Sequence, residues 1–154
     1  MNGGRGPSIG AAGSDISCLI YRASTLGIAA FTNTVITYTN EAGDAGGFWN
    51  GGAPTRLTIP SDGLYIICGG VAFTPGAGGA YHQLWFSIDG AASYAGDDAK
   101  RGDSDPVNCR VNATYMGVFT AGQYVESVVY CGSASTLEVP ELMSTWVAAW
   151  RIKG

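Results

Sequence analysis

Apolar and polar positions alternate along short segments of this chain. In 55–60, Leu57 and Ile59 alternate with Arg56 and Thr58; in 83–88, Leu84, Phe86 and Ile88 alternate mostly with Gln83 and Ser87. A period of two marks a strand with one face on a core and one in water. Gly and Pro interrupt the chain so often that helices have little room. The longest stretch free of both, Ile28 to Ala42, carries Thr32, Thr34, Val35, Ile36, Thr37 and Thr39, residues that favour strand over helix. The pattern predicts strands at 16–22, 33–39, 55–60, 63–73, 81–89, 110–119, 123–131 and 144–153, short and bounded by turn residues at the spacing of an all-β sandwich. The expected organisation is a flexible Gly-rich arm over 1–15 and one all-β domain over 16–154.

Some strands lack a polar face. In 63–73, Leu64, Ile66 and Cys68 point one way and Tyr65, Ile67, Val71 and Phe73 the other; in 144–153, Trp146, Ala148 and Trp150 oppose Val147 and Ala149. Segment 123–131 is nearly the same, with Tyr124, Val128 and Tyr130 opposite Val125, Val129 and Cys131. A two-layer sandwich covers one face of each sheet only, so a sheet built from such strands needs a second cover. At about 25 cal/mol per Å² of apolar surface, leaving several hundred Å² wet is costly and invites aggregation. No helix or second domain is available, so the pattern implies a homo-oligomer; the alternative is that long loops lie over these residues.

Composition narrows the class. The chain has 24 Gly among 154 residues and 13 % charged residues, against average usage of about 7 % Gly and about 25 % charged. With 46 % hydrophobic residues it is too apolar and too weakly charged for disorder. The most apolar run, Leu64 to Phe73, is short and contains two Gly, which is no membrane helix. The net charge is −4 and the eight Lys and Arg are scattered, so no basic stripe offers itself to a nucleic acid. Met1 to Gly13 has no apolar signal-peptide region, which leads to the expectation of a cytosolic origin and reduced cysteines. Cys18, Cys68, Cys109 and Cys131 form no CxxC pair, so zinc or redox chemistry has no local support.

Three segments resemble a known family. Ile59-Pro60-Ser61-Asp62-Gly63-Leu64-Tyr65 resembles the P-x-x-G-x-Y entry into the central strand of C1q/TNF-like jelly rolls. Val118-Phe119-Thr120-Ala121-Gly122-Gln123-Tyr124-Val125-Glu126 resembles that family's L-x-A-G-D-Y-V-E strand, and Ser144-Thr145-Trp146-Val147-Ala148-Ala149 its closing strand. Gln123 departs from the usual Asp. The resemblance covers about residues 16 to 153, and it implies a two-sheet, ten-strand jelly roll assembling as a homotrimer. In that register Ile66, Cys68, Val147 and Ala149, with Val128 and Tyr130, would form the trimer interface, leaving Tyr65, Ile67, Phe73, Trp146 and Trp150 in the sandwich core. Thr34 to Trp49, with Glu41, Asp44 and Phe48-Trp49, is similar in particular to C1q-like domains of bacterial and bacteriophage open reading frames, which are usually virion or cell-surface components. No collagen stalk is present, because Ile9 breaks the short Gly-X-Y-like phase of Gly3 to Gly13.

Candidate chemistry is sparse. His82 is the single histidine, and no nucleophile motif lies near it, so no catalytic residue is assigned. The polar segment Ala91 to Asn108, taken as a loop, holds weak calcium candidates Asp97, Asp98, Asp103 and Asp105; their spacing is not that of an EF-hand, and no other cofactor is expected. Arg101-Gly102-Asp103 spells an integrin-recognition tripeptide and Asn112-Ala113-Thr114 a glycosylation sequon; both read as coincidences of spelling. Cys68 and Cys131 are expected on neighbouring strands, where either a disulfide or two buried thiols would fit.

The expected function is that of a non-enzymatic bacteriophage structural protein, made in the host cytoplasm and carried on the virion. It would be a trimeric head decoration or a tail or fibre knob, held on major capsid or tail proteins by Asn2, Gly3, Gly4, Arg5, Gly6 and Pro7 of the arm. The alternative is a C1q-like recognition module for a host glycan or surface polymer, with Trp49 and Tyr94 as contact residues. A secreted signalling ligand fits less well, since no export or anchor segment is read in the chain.

Overall fold

The computed structural model of the chain describes residues 17–74, 81–100, 109–137 and 144–153, with 92–100 and 153 as backbone alone. The described residues form twelve strands and no helix. In chain order these are β1 (Ser17–Tyr21), β2 (Leu26–Ile28), β3 (Thr34–Val35), β4 (Asn40–Asp44), β5 (Arg56–Thr58), β6 (Gly63–Phe73), β7 (Tyr81–Ile88), β8 (Ala91–Lys100), β9 (Cys109–Phe119), β10 (Tyr124–Cys131), β11 (Ser135–Leu137) and β12 (Trp146–Lys153). All pairings are antiparallel, and they build two sheets, one of seven strands and one of five.

β6 is the spine of the larger sheet. β9 runs along its whole length, from Gly63 opposite Phe119 to Phe73 opposite Cys109. β12 runs along its other side, with Trp146 opposite Gly70 and Trp150 opposite Ile66. β1 and then β4 follow β12, while β11 and β2 extend the sheet from the Phe73 end of β6. In the smaller sheet β10 pairs with β7 on one side and with β3 and β5 on the other, and β8 forms the far edge beyond β7.

The core lies between the two sheets. Tyr65, Ile67, Val71 and Phe73 of β6, Val111 and Phe119 of β9, Val147 and Ala149 of β12 and Ile20 of β1 come from the larger sheet. They meet Leu84 and Phe86 of β7 with Val125, Val129 and Cys131 of β10. Each such side chain contributes about 1.5–3 kcal/mol when fully buried. Gly69 sits on the same face of β6, where an added Cβ would stand 3.2 Å from the Phe86 ring, so its missing side chain lets that ring reach across. Tyr65 is edge-on to both Phe48 and Phe119 at 5.9 Å between ring centres, and its hydroxyl donates to the Ser61 carbonyl at 2.7 Å. That bond satisfies the one polar atom of a ring otherwise sealed in the core, and it explains why the Pro60 to Tyr65 motif enters β6 as it does.

Two expectations about elements are corrected. The segment 91–100, expected as loop, forms β8, opposite β7 from Ile88–Ala91 to Tyr81–Lys100. Ala, Gly and Asp have low strand propensity, and an edge strand is where charge and weak propensity are tolerated. The segment 33–39 is a ladder only at Thr34–Val35. Beyond it the Ile36 N–H donates to the Ser127 carbonyl and the Tyr38 N–H to the Pro54 carbonyl, each at 2.9 Å, as the chain leaves β10. Ile36 and Tyr38 are buried, and the Tyr38 hydroxyl donates to Ser127 Oγ at 2.7 Å. The described residues form twelve strands where the resemblance implies ten; four of them, β2, β3, β5 and β11, are ladders of two or three residues.

Candidate functional site

Directly opposed residues of an antiparallel pair share a face, so the register of the larger sheet defines its outward surface. One row runs Met116, Ile66, Trp150, Ser17 across β9, β6, β12 and β1. The next runs Thr114, Cys68, Ala148, Leu19, and the third Asn112, Gly70, Trp146, Tyr21. These three rows contain no charged residue. At one end Val118 and Lys153 flank Leu64, with Ile152 in the register shift before Lys153, and at the other Arg110 stands opposite Ala72; exposure reaches 61 % at Met116, 80 % at Val118, 45 % at Trp150 and 51 % at Ile152. In the third row Trp146 lies against the backbone of Gly70: a Cβ there would be 2.7 Å from the indole Nε1 and from Asn112 Oδ1. Thr114 Oγ1 donates to Cys68 Sγ at 3.6 Å in the middle row.

Ile66 and Cys68 therefore face outward, as expected, with Tyr65, Ile67 and Phe73 in the core. The assignment on β12 is reversed. Val147 and Ala149 stand opposite Gly69 and Ile67 and are buried in the core, while Trp146 and Trp150 lie on the outward side. Both faces of this strand are apolar, so alternation alone cannot orient it; pairing with β6 does. Val128 and Tyr130 belong to β10 of the smaller sheet, on the opposite flank from Ile66 and Cys68, so the six residues do not form one surface. Met116, Val118, Trp150 and Ile152 were not anticipated as surface residues. A signal for β9 was present in the alternation of Met116 and Val118 with Tyr115 and Phe119.

At the β1–β4 edge an open hollow of about 260 Å³ adjoins this surface and is lined by Leu19, Ala45 and Trp150 among others. Cys18 borders it from the core side. Its thiol is held far above the ordinary range by burial first and then by the carboxylates of Asp44 and Glu41. Asp44 itself accepts the backbone N–H groups of Phe48 and Trp49 at 2.8 Å each. That fixes Trp49, expected as a ligand contact, as a partly buried residue packed against the core and bridged to Leu57.

The other expected site residues do not assemble into a centre that can be described. Tyr94 stands opposite Phe86 on β8, and Asp97 and Asp98 stand opposite Leu84 and Gln83. Their side chains, like Asp103, Asp105, the Arg101 to Asp103 tripeptide and the arm residues Asn2 to Pro7, lie outside the described residues. Among the described residues no group of three or more His, Cys, Asp or Glu is arranged to hold a metal ion. His82 is buried on the core face of β7, its ring centre 4.6 Å from that of Phe73. The four cysteines are thiols. Cys68 and Cys131, expected on neighbouring strands, lie in different sheets, one on the outward face and one in the core. Burial, with a smaller effect of Cys109, pushes the Cys131 thiol up to about 12.

No protein-family model and no curated protein matches the chain. Solved structures do. The globular domain of zebrafish complement 1qA protein superposes with a TM-score of 0.62 at 12 % identity, over 90 % of this chain and 97 % of that one. Murine APRIL superposes with a TM-score of 0.68 at 8 % identity, over 90 % of this chain and 99 % of that one. With two antiparallel sheets, no helix among the described residues and these neighbours, the chain has the C1q/TNF-like jelly-roll fold.

Proposed function

We propose that the chain is a non-enzymatic module that assembles as a homotrimer through the outward face of its larger sheet. The observation that carries this reading is the set of three charge-free rows across β9, β6, β12 and β1, bordered by Lys153 at one end and Arg110 at the other, with Met116 and Trp150 in the rows and Val118 beside them left open to water. A specific interface of standard size buries about 800 Å² per partner, and a surface of this composition suits that use better than solvent. The resemblance to C1q/TNF-like jelly rolls supplies the stoichiometry. The burial of the single histidine, His82, against Phe73 supports the non-enzymatic reading, because a relay to a nucleophile would need that ring at the surface.

Native mass spectrometry and sedimentation equilibrium test the assembly. The expected mass is three times 15.9 kDa, and Trp150→Glu is expected to give a folded chain of single mass. A wild-type monomer at micromolar concentration overturns the reading.

The finer reading is a trimeric knob of a bacteriophage virion, attached through Met1 to Gly13. It rests on the sequence resemblance of Thr34 to Trp49, the low charge of the chain and the Gly-rich segment Met1 to Gly13. Deleting Met1 to Gly13 is expected to abolish particle occupancy while the trimer still forms; the absence of the protein from purified particles would refute the assignment.

A further inference from the structure

We propose that the hollow at the β1–β4 edge is the socket for Met116 of a neighbouring copy of the chain. Each copy then offers a knob on one edge of the larger sheet and a socket on the other. The proposal rests on the homotrimer reading above and states which patches meet. A ring of three has no twofold axis, so its contact joins two different patches of the subunit, head to tail. An outward face that met only its own image would give a dimer; a ring needs two complementary ends.

The first row of the outward face supplies both ends. Met116 stands exposed at its β9 end, with exposed Val118 beside it. At its β1 end Trp150 and Ser17 wall the hollow, which Leu19, Ala42, Asp44 and Ala45 continue. The β1–β4 ladder shifts register between Leu19 and Ile20, beside the hollow, and such a bulge bends an edge. β6 and β12 separate β9 from β1. Three strand spacings make roughly 14 Å, further than a methionine side chain reaches, so Met116 cannot fill the hollow of its own chain.

The hollow has room for such a knob, at about 260 Å³, against roughly 150 Å³ for a cavity that admits benzene. Its ionisable groups are already engaged. Both carboxylate oxygens of Asp44 accept backbone N–H groups, from Phe48 and Trp49, and burial keeps the Cys18 thiol protonated. Leu19, Ala42, Ala45 and the Trp150 indole leave an apolar wall. A methionine side chain is unbranched, fills irregular gaps, and its sulfur contacts aromatic rings favourably. Charge favours the same arrangement. Exposed Glu41, with Asp44, lies on β4 at the socket edge, and exposed Arg110 lies on β9 at the knob edge. Unlike edges attract and like edges repel, which selects head-to-tail contact.

Native mass spectrometry and sedimentation test the pairing with two variants at exposed positions, Met116→Glu at the knob and Ala45→Trp to plug the socket. Each alone is expected to raise the concentration of half-assembly roughly tenfold or more, and Met116→Leu by no more than about threefold. An equimolar mixture of Met116→Glu and Ala45→Trp chains is expected to form a heterodimer and no trimer. The intact knob of the plugged chain still finds the open socket of the other, and the pair then ends in two dead patches. A wild-type trimer with no heterodimer in the mixture, or a trimer that Ala45→Trp leaves intact, overturns the socket and leaves the trimer standing. A monomeric wild type overturns both. A small molecule retained by the wild-type trimer and lost from an intact Ala45→Trp trimer also overturns the socket, by giving the hollow another occupant. Far-ultraviolet circular dichroism establishes that each variant is folded, and Ala42→Trp, also at an exposed position, replaces Ala45→Trp if the latter melts below the wild type.

Discussion

At the scale of single residues, glycines divide sharply by what surrounds them. A Cβ at Gly70 would collide with the Trp146 indole, whereas one at Gly27, in β2, would meet nothing within 4 Å. Gly70→Ala is therefore expected to cost about 1–3 kcal/mol and to alter the near-ultraviolet signal of Trp146, while Gly27→Ala is expected to be neutral or to stabilise by up to about 1 kcal/mol. Urea denaturation of the two variants checks this. Asp89, at φ of 51°, accepts the Tyr124 N–H at 2.9 Å and the Gln123 amide N–H at 2.8 Å, and these bonds, backbone first, hold its carboxyl below the ordinary value. A depressed folded pKa stabilises above the unfolded value of about 3.9, and the contribution is lost as pH falls through the folded value. Asp89→Asn keeps a residue that tolerates left-handed backbone. Its deficit in melting temperature is expected at neutral pH and should shrink steadily below about pH 4; a deficit constant with pH would contradict the assignment. The same polar turn shows how Gln123, which departs from the Asp of the jelly-roll motif it resembles, is used: its Oε1 accepts the Thr120 N–H at 2.8 Å while its amide reaches Asp89.

At the scale of elements, what the sequence makes legible depends on whether a strand has one apolar face or two. β5 and β7 have one, and alternation alone placed Leu57, Leu84 and Phe86 inside. β12 has two, so Val147 and Ala149 exchange roles with Trp146 and Trp150 until pairing with β6 settles the matter. β8, with Asp97, Asp98 and Gly96, carries no hydrophobic pattern and is a strand only because β7 offers it an edge. β10 exposes a different limit: its alternation is plain, but membership of a sheet is a property of distant partners. The two faces of β6 give a direct test. Ile67→Ala is expected to lower folding stability by about 2–5 kcal/mol. Ile66→Ala, one residue away on the outward face, is expected instead to raise the concentration needed for assembly, read by sedimentation across a dilution series.

At the scale of the whole molecule, the two-sided strands made the need for a cover legible, and the structure identifies the surface that needs it. Ile66 and Cys68 of that surface were legible, but Met116, Trp146 and Trp150 were not, because parity is local and register is not. If the larger sheet's outward face is buried between copies, folding and assembly are linked, and the melting temperature is expected to rise with protein concentration. Calorimetry over a hundredfold concentration range checks this, and an invariant value would separate stability from assembly. β6 adds a consequence for how the chain tells its interior from its exterior. A slip of one residue would trade Tyr65 and Ile67 for Leu64 and Ile66, and hydrophobicity would hardly distinguish the two alignments. Shape distinguishes them: Gly69 must lie beneath Phe86 on one side, and Gly70 beneath Trp146 on the other. The identity of inside and outside on the central strand is thus written in two adjacent positions that carry no side chain at all.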